Sequence, residues 1–383
     1  MMHIGLLGFG VVGGGVWALC APRDDLNVKR VLLRSPKEGL PEEVVTFNAD
    51  DILNDPEIDT VVEVMGGLHP AYEYVSAALA RGKSVVTANK ALIAAYYTEL
   101  TALAREKGAA LRCTAAVGGG IPWLTNLERV KRLDTVCAVG GIMNGTTNFI
   151  MDAMHKAPVD FPAILKEAQD LGYAEADPTA DVAGIDAGRK TCILADLAFG
   201  RETPPEKVPM EGITALDLRD VAIARQAGFR VKLLGRTLRL PDGGYAAYVA
   251  PHLIPEGKPI AHVSGVFNAA VVRGSAVGET LFYGPGAGAY PTASACVADV
   301  MNVLAGPAPF RFRWEAPSGL RDANEVVSRW YLRTDADAQA VKAAFPQAET
   351  LTEGAFLTGP LTGFALEERA KSLPVLARYR VLD

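Results

Sequence analysis

The chain has 383 residues, of which 49% are hydrophobic and 21% charged, and a formal net charge of −6. That balance suits a soluble globular protein with two or three domains and a sizeable core. It argues against nucleic acid as the main partner, and no apolar run is long enough to span a membrane.

The opening residues, MMHIGLLGFG, lack a basic stretch and a cleavage site, so they read as a strand rather than a signal peptide. Residues 3–16 give that strand, then Gly8-x-Gly10-x-x-Gly13, then small residues opening a helix. Glycines there let the turn close tightly. They also let a pyrophosphate rest on the helix N–H groups around Val11, Val12 and Gly13. The plainer alternative is a strand–helix turn with no ligand. A second strand over 28–33 ends in Arg34-Ser35-Pro36-Lys37. NAD sites usually place an acid here for the ribose 2′-hydroxyl. Arg34 and Lys37 instead favour a 2′-phosphate, hence NADP(H) over NAD(H), unless both are solvated loop cations.

Further β–α units follow: a strand over 60–64, an Ala-rich helix over 70–81, and a strand over 84–87 that ends in Ala88-Asn89-Lys90. Ligands of open parallel sheets bind beyond the carboxyl ends of the strands, where Lys90 stands. The alternation through residue 125 predicts a doubly wound α/β dinucleotide domain. Two glycine-rich segments come next. CTAAVGGGIPW over 113–123 is either a cluster of carbonyls able to converge on a cation or a plain inter-domain turn. GGIMNGTTN over 140–148 ends a strand in groups that can cap a helix, bind substrate, or do both.

Residues 171–197 read LGYAEADPTADVAGIDAGRKTCILADL. A polar, turn-prone stretch runs into a helix with Asp181 as its predicted N-cap and Gly200 as its stop. At about 100° per residue, Asp186, Lys190, Ile193 and Leu197 share one face. That face starts with a carboxylate and an ammonium and continues as core. Taken alone, the pair reads as a solvated i,i+4 ion pair; the rest of the chain favours a functional use.

GFGVVG, TANKALI, AAVGGGIP, GIMNGTTNFI, GYAEADPTADVAGIDAGRK and YGPGAGAYPTASA occur in this order. Together they resemble homoserine dehydrogenase over roughly residues 3–305. The resemblance implies NAD(P)H-dependent reduction of L-aspartate 4-semialdehyde to L-homoserine, on the route to threonine and methionine. It implies Lys190 as proton donor and acceptor and Lys90 as a second active-site lysine that also meets the cofactor. Glu175 and Asp186 would hold the amino and hydroxyl ends of homoserine, with Asp181 and Thr146 nearby. Gly172 and Gly288 would touch the cofactor. The carbonyls of Thr114, Val117, Gly119 and Ile121 would form a sodium site; relatives often carry glutamate at the Thr114 position. The chemistry agrees: hydride transfer to an aldehyde leaves charge on oxygen, which needs a proton donor, and a zwitterionic substrate needs carboxylates for its ammonium. Asp181 remains divided between this role and capping.

The middle of the chain, with long strands over 231–239, 245–252 and 265–272, reads as a mixed α/β substrate and dimerisation domain. The five cysteines (Cys20, Cys113, Cys137, Cys192, Cys296) are scattered without a CxxC pair, which suits a reducing cytoplasm. Residues 284–288 and a small-residue helix over 291–304 look like a return to the cofactor domain. Beyond a Pro-rich, basic linker over 306–319, the tail predicts strand, helix, strand, strand, helix, strand, the split ferredoxin-like order. It resembles a regulatory ACT domain and so implies threonine as an effector, but Thr334-Asp335-Ala336-Asp337 stands where the usual ligand turn would be. A structural or dimerising remnant is the competing reading. The expected domains are 1–125 with 284–312, then 126–283, then 322–383, in a homodimer or homotetramer. Two other classes stay open: another Rossmann oxidoreductase acting on a different semialdehyde, and a non-catalytic nucleotide-binding or amino-acid-sensing protein.

Overall fold

The computed structural model describes residues 1–306 and 319–382; the predicted 306–319 linker lies outside the described residues apart from its two ends. The described chain divides into two compact units, Met1–Leu133 with residues 284–306, and Asp134–Tyr283 with residues 319–382.

In the first unit the strands are β1 (Met2–Leu7), β2 (Leu26–Leu32), β3 (Val45–Thr46), β4 (Thr60–Glu63), β5 (Ser84–Thr87) and β6 (Leu111–Arg112). Among the described residues they form one sheet in the order β3-β2-β1-β4-β5-β6, and every pairing is parallel. This is the doubly wound order that reverses at β1 and β4. Strands covered on both faces need continuous apolar runs, and β4 (TVVE) and β5 (SVVT) are buried at every position. The helices are α1 (Val11–Cys20), α2 (Asp50–Leu53), α3 (Ala71–Ala80), α4 (Lys90–Glu106) and α5 (Trp123–Lys131). A sixth, Ala289–Ala305, comes from the returning segment. Small residues let it lie close on α1, where a methyl added at Gly15 would sit 2.8 Å from Ala293 Cβ.

In the second unit, β7 (Val136–Ile142), β8 (Phe229–Arg239), β9 (Tyr245–Pro255) and β10 (Phe267–Gly274) make an antiparallel body, with β11 (Gly278–Pro285) beside β10. The three long strands expected from sequence lie within about three residues of β8, β9 and β10. The pattern does not predict β11, an edge strand whose Tyr283 is exposed. Packed with this body are α6 (Gly145–Lys156), α7 (Phe161–Asp170), α8 (Thr179–Val182), α9 (Ile185–Phe199) and α10 (Leu218–Gln226). The Ala289–Ala305 helix is α11 in chain order. Two strands of the body approach unusually closely at one glycine. Gly141 of β7 has φ +149, and a methyl there would overlap the Ala269 carbonyl oxygen. Glycine therefore lets β10 press against the end of β7.

The tail contributes β12 (Val327–Ser328), β13 (Trp330–Thr334), α12 (Ala338–Ala344), β14 (Glu349–Thr352), β15 (Ala355–Leu357), β16 (Leu361–Thr362), α13 (Gly363–Ala370) and β17 (Val375–Val381). Setting aside the two-residue pair β12 and β16, the predicted order of elements is present. The four main strands run β17-β13-β15-β14, all antiparallel. They do not stand apart from the body: β17 pairs in parallel with β9, Arg380 opposite His252 and Val381 opposite Leu253. A single nine-stranded sheet results among the described residues. Buried polar groups fasten the join. The Arg380 guanidinium lies 4.6 Å from the Tyr248 ring centroid and 4.2 Å from that of Trp330. Fully buried Asp220 of α10 accepts from the Tyr331 hydroxyl at 2.7 Å and Arg333 Nε at 2.6 Å.

Candidate active site

In the first unit the glycine loop is shaped by what side chains would obstruct. Gly8 has φ +101. A methyl at Gly13 would overlap the Gly8 carbonyl oxygen, so only glycine lets α1 start this close to β1. At Gly10, by contrast, an added methyl would meet nothing within 4 Å. Gly10 is the N-cap of α1 and offers no side-chain cap, so the first-turn N–H groups of Val11, Val12 and Gly13 have no partner within the helix. Such a terminus attracts phosphate. A cavity of about 530 Å³ opens beside it, lined by Gly8, Gly10, Arg34, Ser35, Lys37 and Met65 among others. Arg34 and Lys37 are both exposed there, and Lys37 Nζ donates to the Phe9 carbonyl at 2.8 Å. The residues present fit a dinucleotide.

The strand ends beside this loop carry a buried network that the sequence reading missed. Glu63, with no solvent exposure, accepts from the Thr87 hydroxyl at 2.6 Å and from the Met65 N–H at 2.8 Å. Its signal was available: an acid closing an otherwise apolar strand. Asn89 caps α4 by accepting from the Leu92 N–H at 3.1 Å, and donates to the Gly67 carbonyl at 2.6 Å. Lys90 comes next as the first, half-buried residue of α4. The 114–121 segment belongs to the same unit. Gly118 and Gly119 take positive φ, +82 and +55, and a methyl on Gly119 would come within 2.6 Å of the Gly286 backbone. Buried Asp299 of α11 accepts from both the Thr114 N–H (2.8 Å) and its hydroxyl (2.9 Å). Burial pushes the Asp299 carboxyl up to about 6 against those bonds. Of the four carbonyls expected to hold sodium, those of Thr114 and Ile121 each accept a backbone N–H, from Val117 and Trp123. A carbonyl oxygen has a second lone pair, so the set remains compatible with a cation. Gly288, φ +116, is the N-cap of α11.

In the second unit, three of the expected site residues, Lys190, Asp186 and Asp181, gather on one peptide, Met143–Asn144, between β7 and α6. Lys190 is 7% exposed. Its Nζ donates to the Met143 carbonyl at 2.6 Å and to Asp186 Oδ2 at 2.7 Å. Asn144 Nδ2 donates to Asp186 Oδ2 at 3.1 Å and to Asp181 Oδ1 at 2.6 Å. Asn144 Oδ1 meanwhile caps α6, accepting from the Thr147 N–H at 2.9 Å. One asparagine thus holds both carboxylates and starts a helix. The surface-pair reading of Asp186 and Lys190 does not fit this burial.

The capping role expected of Asp181 is corrected. The chain does not enter one long helix; α8 ends at Val182, and Gly184 at φ +80 precedes α9. Gly184 is held by close packing, since a methyl there would sit 3.3 Å from Val249 Cγ1. Asp181 lies inside α8, which leaves its carboxylate for Asn144. Gly200 ends α9 in the left-handed conformation, as expected. Thr146 is buried and donates to the Tyr173 carbonyl at 2.5 Å. Gly172, φ +75, and Glu175 lie on the exposed stretch between α7 and α8.

A second buried lysine was not anticipated. Lys232 of β8, 1% exposed, donates to Asn148 Oδ1 at 2.9 Å and to the Val263 carbonyl at 2.7 Å. Burial pulls its ammonium down to about 8. Nearby, burial and the Lys232 charge hold His155 down at about 4, so it is a neutral imidazole whose Nε2 accepts from the Val231 N–H at 2.7 Å. A lysine in an apolar strand was the sequence signal. Among the described residues no cluster of three or more His, Cys, Asp or Glu suits a metal ion.

Known proteins are similar to this chain in sequence and fold. Residues 122–301 match the family model described as homoserine dehydrogenase, and residues 8–114 match that of the homoserine dehydrogenase NAD-binding domain. The homoserine dehydrogenase of Bacillus subtilis is 42% identical over 317 residues, covering 79% of this chain and 73% of that one. A crystal structure of a homoserine dehydrogenase from Thiobacillus denitrificans superposes with a TM-score of 0.90 at 36% identity, over 100% of this chain and 98% of that one. A hyperthermophilic archaeal homoserine dehydrogenase, solved in complex with NADPH, gives 0.68 at 29% identity over 80% and 98%. Shared sequence therefore runs through both the glycine-loop unit and the lysine-bearing one, and the chain belongs to the homoserine dehydrogenase family of NAD(P)-dependent oxidoreductases.

Proposed function

We propose that the protein interconverts L-aspartate 4-semialdehyde and L-homoserine with Lys190 moving the proton. The observation that carries this is the Lys190 ammonium, buried and held between the Met143 carbonyl and Asp186. The nicotinamide, when bound, supplies or accepts the hydride at the aldehyde carbon. As the carbonyl oxygen gains charge, the ammonium gives it a proton and the product is an alcohol; in reverse, the neutral amine takes the hydroxyl proton. Asp186 keeps the amine oriented and stabilises its charged form. Glu175 and Asp186 are assigned to the amino and hydroxyl ends of homoserine, with Asp181 and Thr146 shaping the same pocket and Lys90 acting as a second lysine. Gly172 and Gly288 are assigned to the cofactor.

NADP(H) is the preferred cofactor in this reading because two cations, Arg34 and Lys37, line the glycine-loop cavity. Sodium is assigned to the carbonyls of Thr114, Val117, Gly119 and Ile121, with Asp299 fixing the start of that segment. The working assembly is a homodimer or homotetramer in the cytoplasm, where five unpaired cysteines are at home. The organisation into cofactor, substrate and ACT-like segments is kept as a functional division. The tail's antiparallel order supports the ACT likeness, and its fusion to the sheet supports a structural role at least as well as threonine sensing.

The test is homoserine-dependent reduction of NADP⁺ and NAD⁺ by purified protein, with and without sodium and threonine. Turnover with NADP⁺ favoured supports the assignment. Folded protein inactive with both cofactors would move another semialdehyde to first place.

A further inference from the structure

Asn268, at the second position of β10, is 2% exposed. Its Nδ2 donates at 2.9 Å to the Met143 carbonyl, the same oxygen that takes Lys190 Nζ at 2.6 Å. Its Oδ1 is buried with no hydrogen-bond partner among the described residues. Turning the amide over would set its oxygen against the Met143 oxygen, so the carbonyl fixes which end faces it. A buried acceptor left unsatisfied costs stability, and what that cost secures is the bond to Met143.

The surroundings hold Asn268 in place. Asn148 Nδ2 reaches the carbonyls of Val263, Gly265 and Phe267 at 3.1, 2.9 and 3.2 Å. Lys232 braces both Asn148 and Val263. Gly145 brings the start of α6 so near that an added methyl would lie 2.6 Å from the Val266 carbonyl oxygen. The loop before Asn268 is therefore pinned to the helix that Asn144 caps and whose first turn carries Thr146.

We infer that Asn268 is a positioning residue for proton transfer by Lys190: it takes one side of the Met143 carbonyl, fixing where the lysine sits and limiting how strongly that carbonyl holds the ammonium. The inference rests on the reading of Lys190 as proton donor and acceptor. Two donors sharing one oxygen weaken each other's bond. Without Asn268 the carbonyl turns wholly to Lys190 and the charged form gains, so in reduction the proton is harder to give, and in oxidation less of the lysine is the neutral base that takes it at a given pH.

The experiment compares Asn268→Ala, Asn268→Ser and Lys190→Ala with wild type in kcat, KM, the pH profile of homoserine oxidation, thermal melting and NADPH binding. For Asn268→Ala, kcat should fall roughly tenfold with both KM values within about twofold. The rising limb of its kcat profile should move to higher pH by about half a unit or more. Asn268→Ser, which returns an O–H donor, should recover part of both changes. A folded Asn268→Ala with wild-type kcat and an unmoved limb overturns the inference. So does a rate loss with the limb unmoved and no recovery in Asn268→Ser, which would mark a packing role. Should the alanine variant not fold, an unmoved limb in Asn268→Ser overturns it equally. Turnover retained by Lys190→Ala would overturn the underlying reading, and this inference with it.

Discussion

The two chemical regions of the enzyme are made of different material. The glycine loop of the first unit is backbone: bare N–H groups at the start of α1, with no room for a methyl on Gly13 beside the Gly8 carbonyl. The Lys190 cluster of the second unit is side chains, drawn onto Met143–Asn144 from α8, α9 and, through Asn268, β10. Adding an atom breaks the first kind of site; removing one breaks the second.

The largest effect expected from that contrast is at Lys190. Lys190→Ala should lower turnover by about 10²–10⁴ while NADPH titration stays near wild type; joint loss of both would point to misfolding instead. Next is Gly13→Ala, which adds one methyl against the Gly8 carbonyl. Overpacking costs about 1–3 kcal/mol, so melting temperature should drop and NADPH affinity fall roughly 10–100-fold. Its counterpart Gly10→Ala meets no protein atom. It should melt like wild type yet still bind NADPH more weakly, because the methyl occupies space the phosphate needs. Equal melting losses in the two variants would undo the claim that the loop is shaped for a ligand. A smaller change is expected from Arg34→Ala: about tenfold loss in the NADP⁺ over NAD⁺ preference, in line with one charged hydrogen bond. An unchanged ratio would make Arg34 a bystander.

The smallest effect concerns Lys232, where burial lowers the ammonium from 10.5 to about 8. Between those values the unfolded chain binds more protons than the folded one, so this lysine's contribution to stability improves as pH rises. Below about 8 both states are charged and the contribution is constant. Chemical denaturation of wild type and Lys232→Met should therefore give a stability difference that is flat to pH 8 and then climbs in favour of wild type. Parallel curves throughout would mean the lysine is not titrating in that window.

How legible each region is in the sequence depends on the same division. The cofactor half is legible because a parallel sheet demands unbroken apolar strands and a tight turn demands glycine, and both demands fall on neighbouring residues. Asp186 and Lys190 were visible as charges on an apolar helix face. The roles of Asn144 and Asn268 have no local signature, since the carboxylates one holds and the carbonyl the other holds come together only when β7, β10 and α9 meet, 125 residues separating Met143 from Asn268. The break at Gly184 was hidden because GID reads as well inside a helix as before one; the contact with Val249 decides it. Glu63 was written at a strand end but its partners, Thr87 and Met65, belong to the fold. The tail's element order was readable, whereas the pairing of β17 with β9 has no local signature.

That pairing has a consequence for how the chain comes to be folded. Among the described strands β17 is the last to be made, yet it lies between β9 and β13 in the interior of the sheet. During vectorial synthesis the body strands β7 to β10 emerge long before it, and until residues 375–381 arrive β9 presents an open row of backbone groups to its surroundings. The second unit is therefore assembled like an arch, in which two flanks stand ready and the piece that locks them is delivered late.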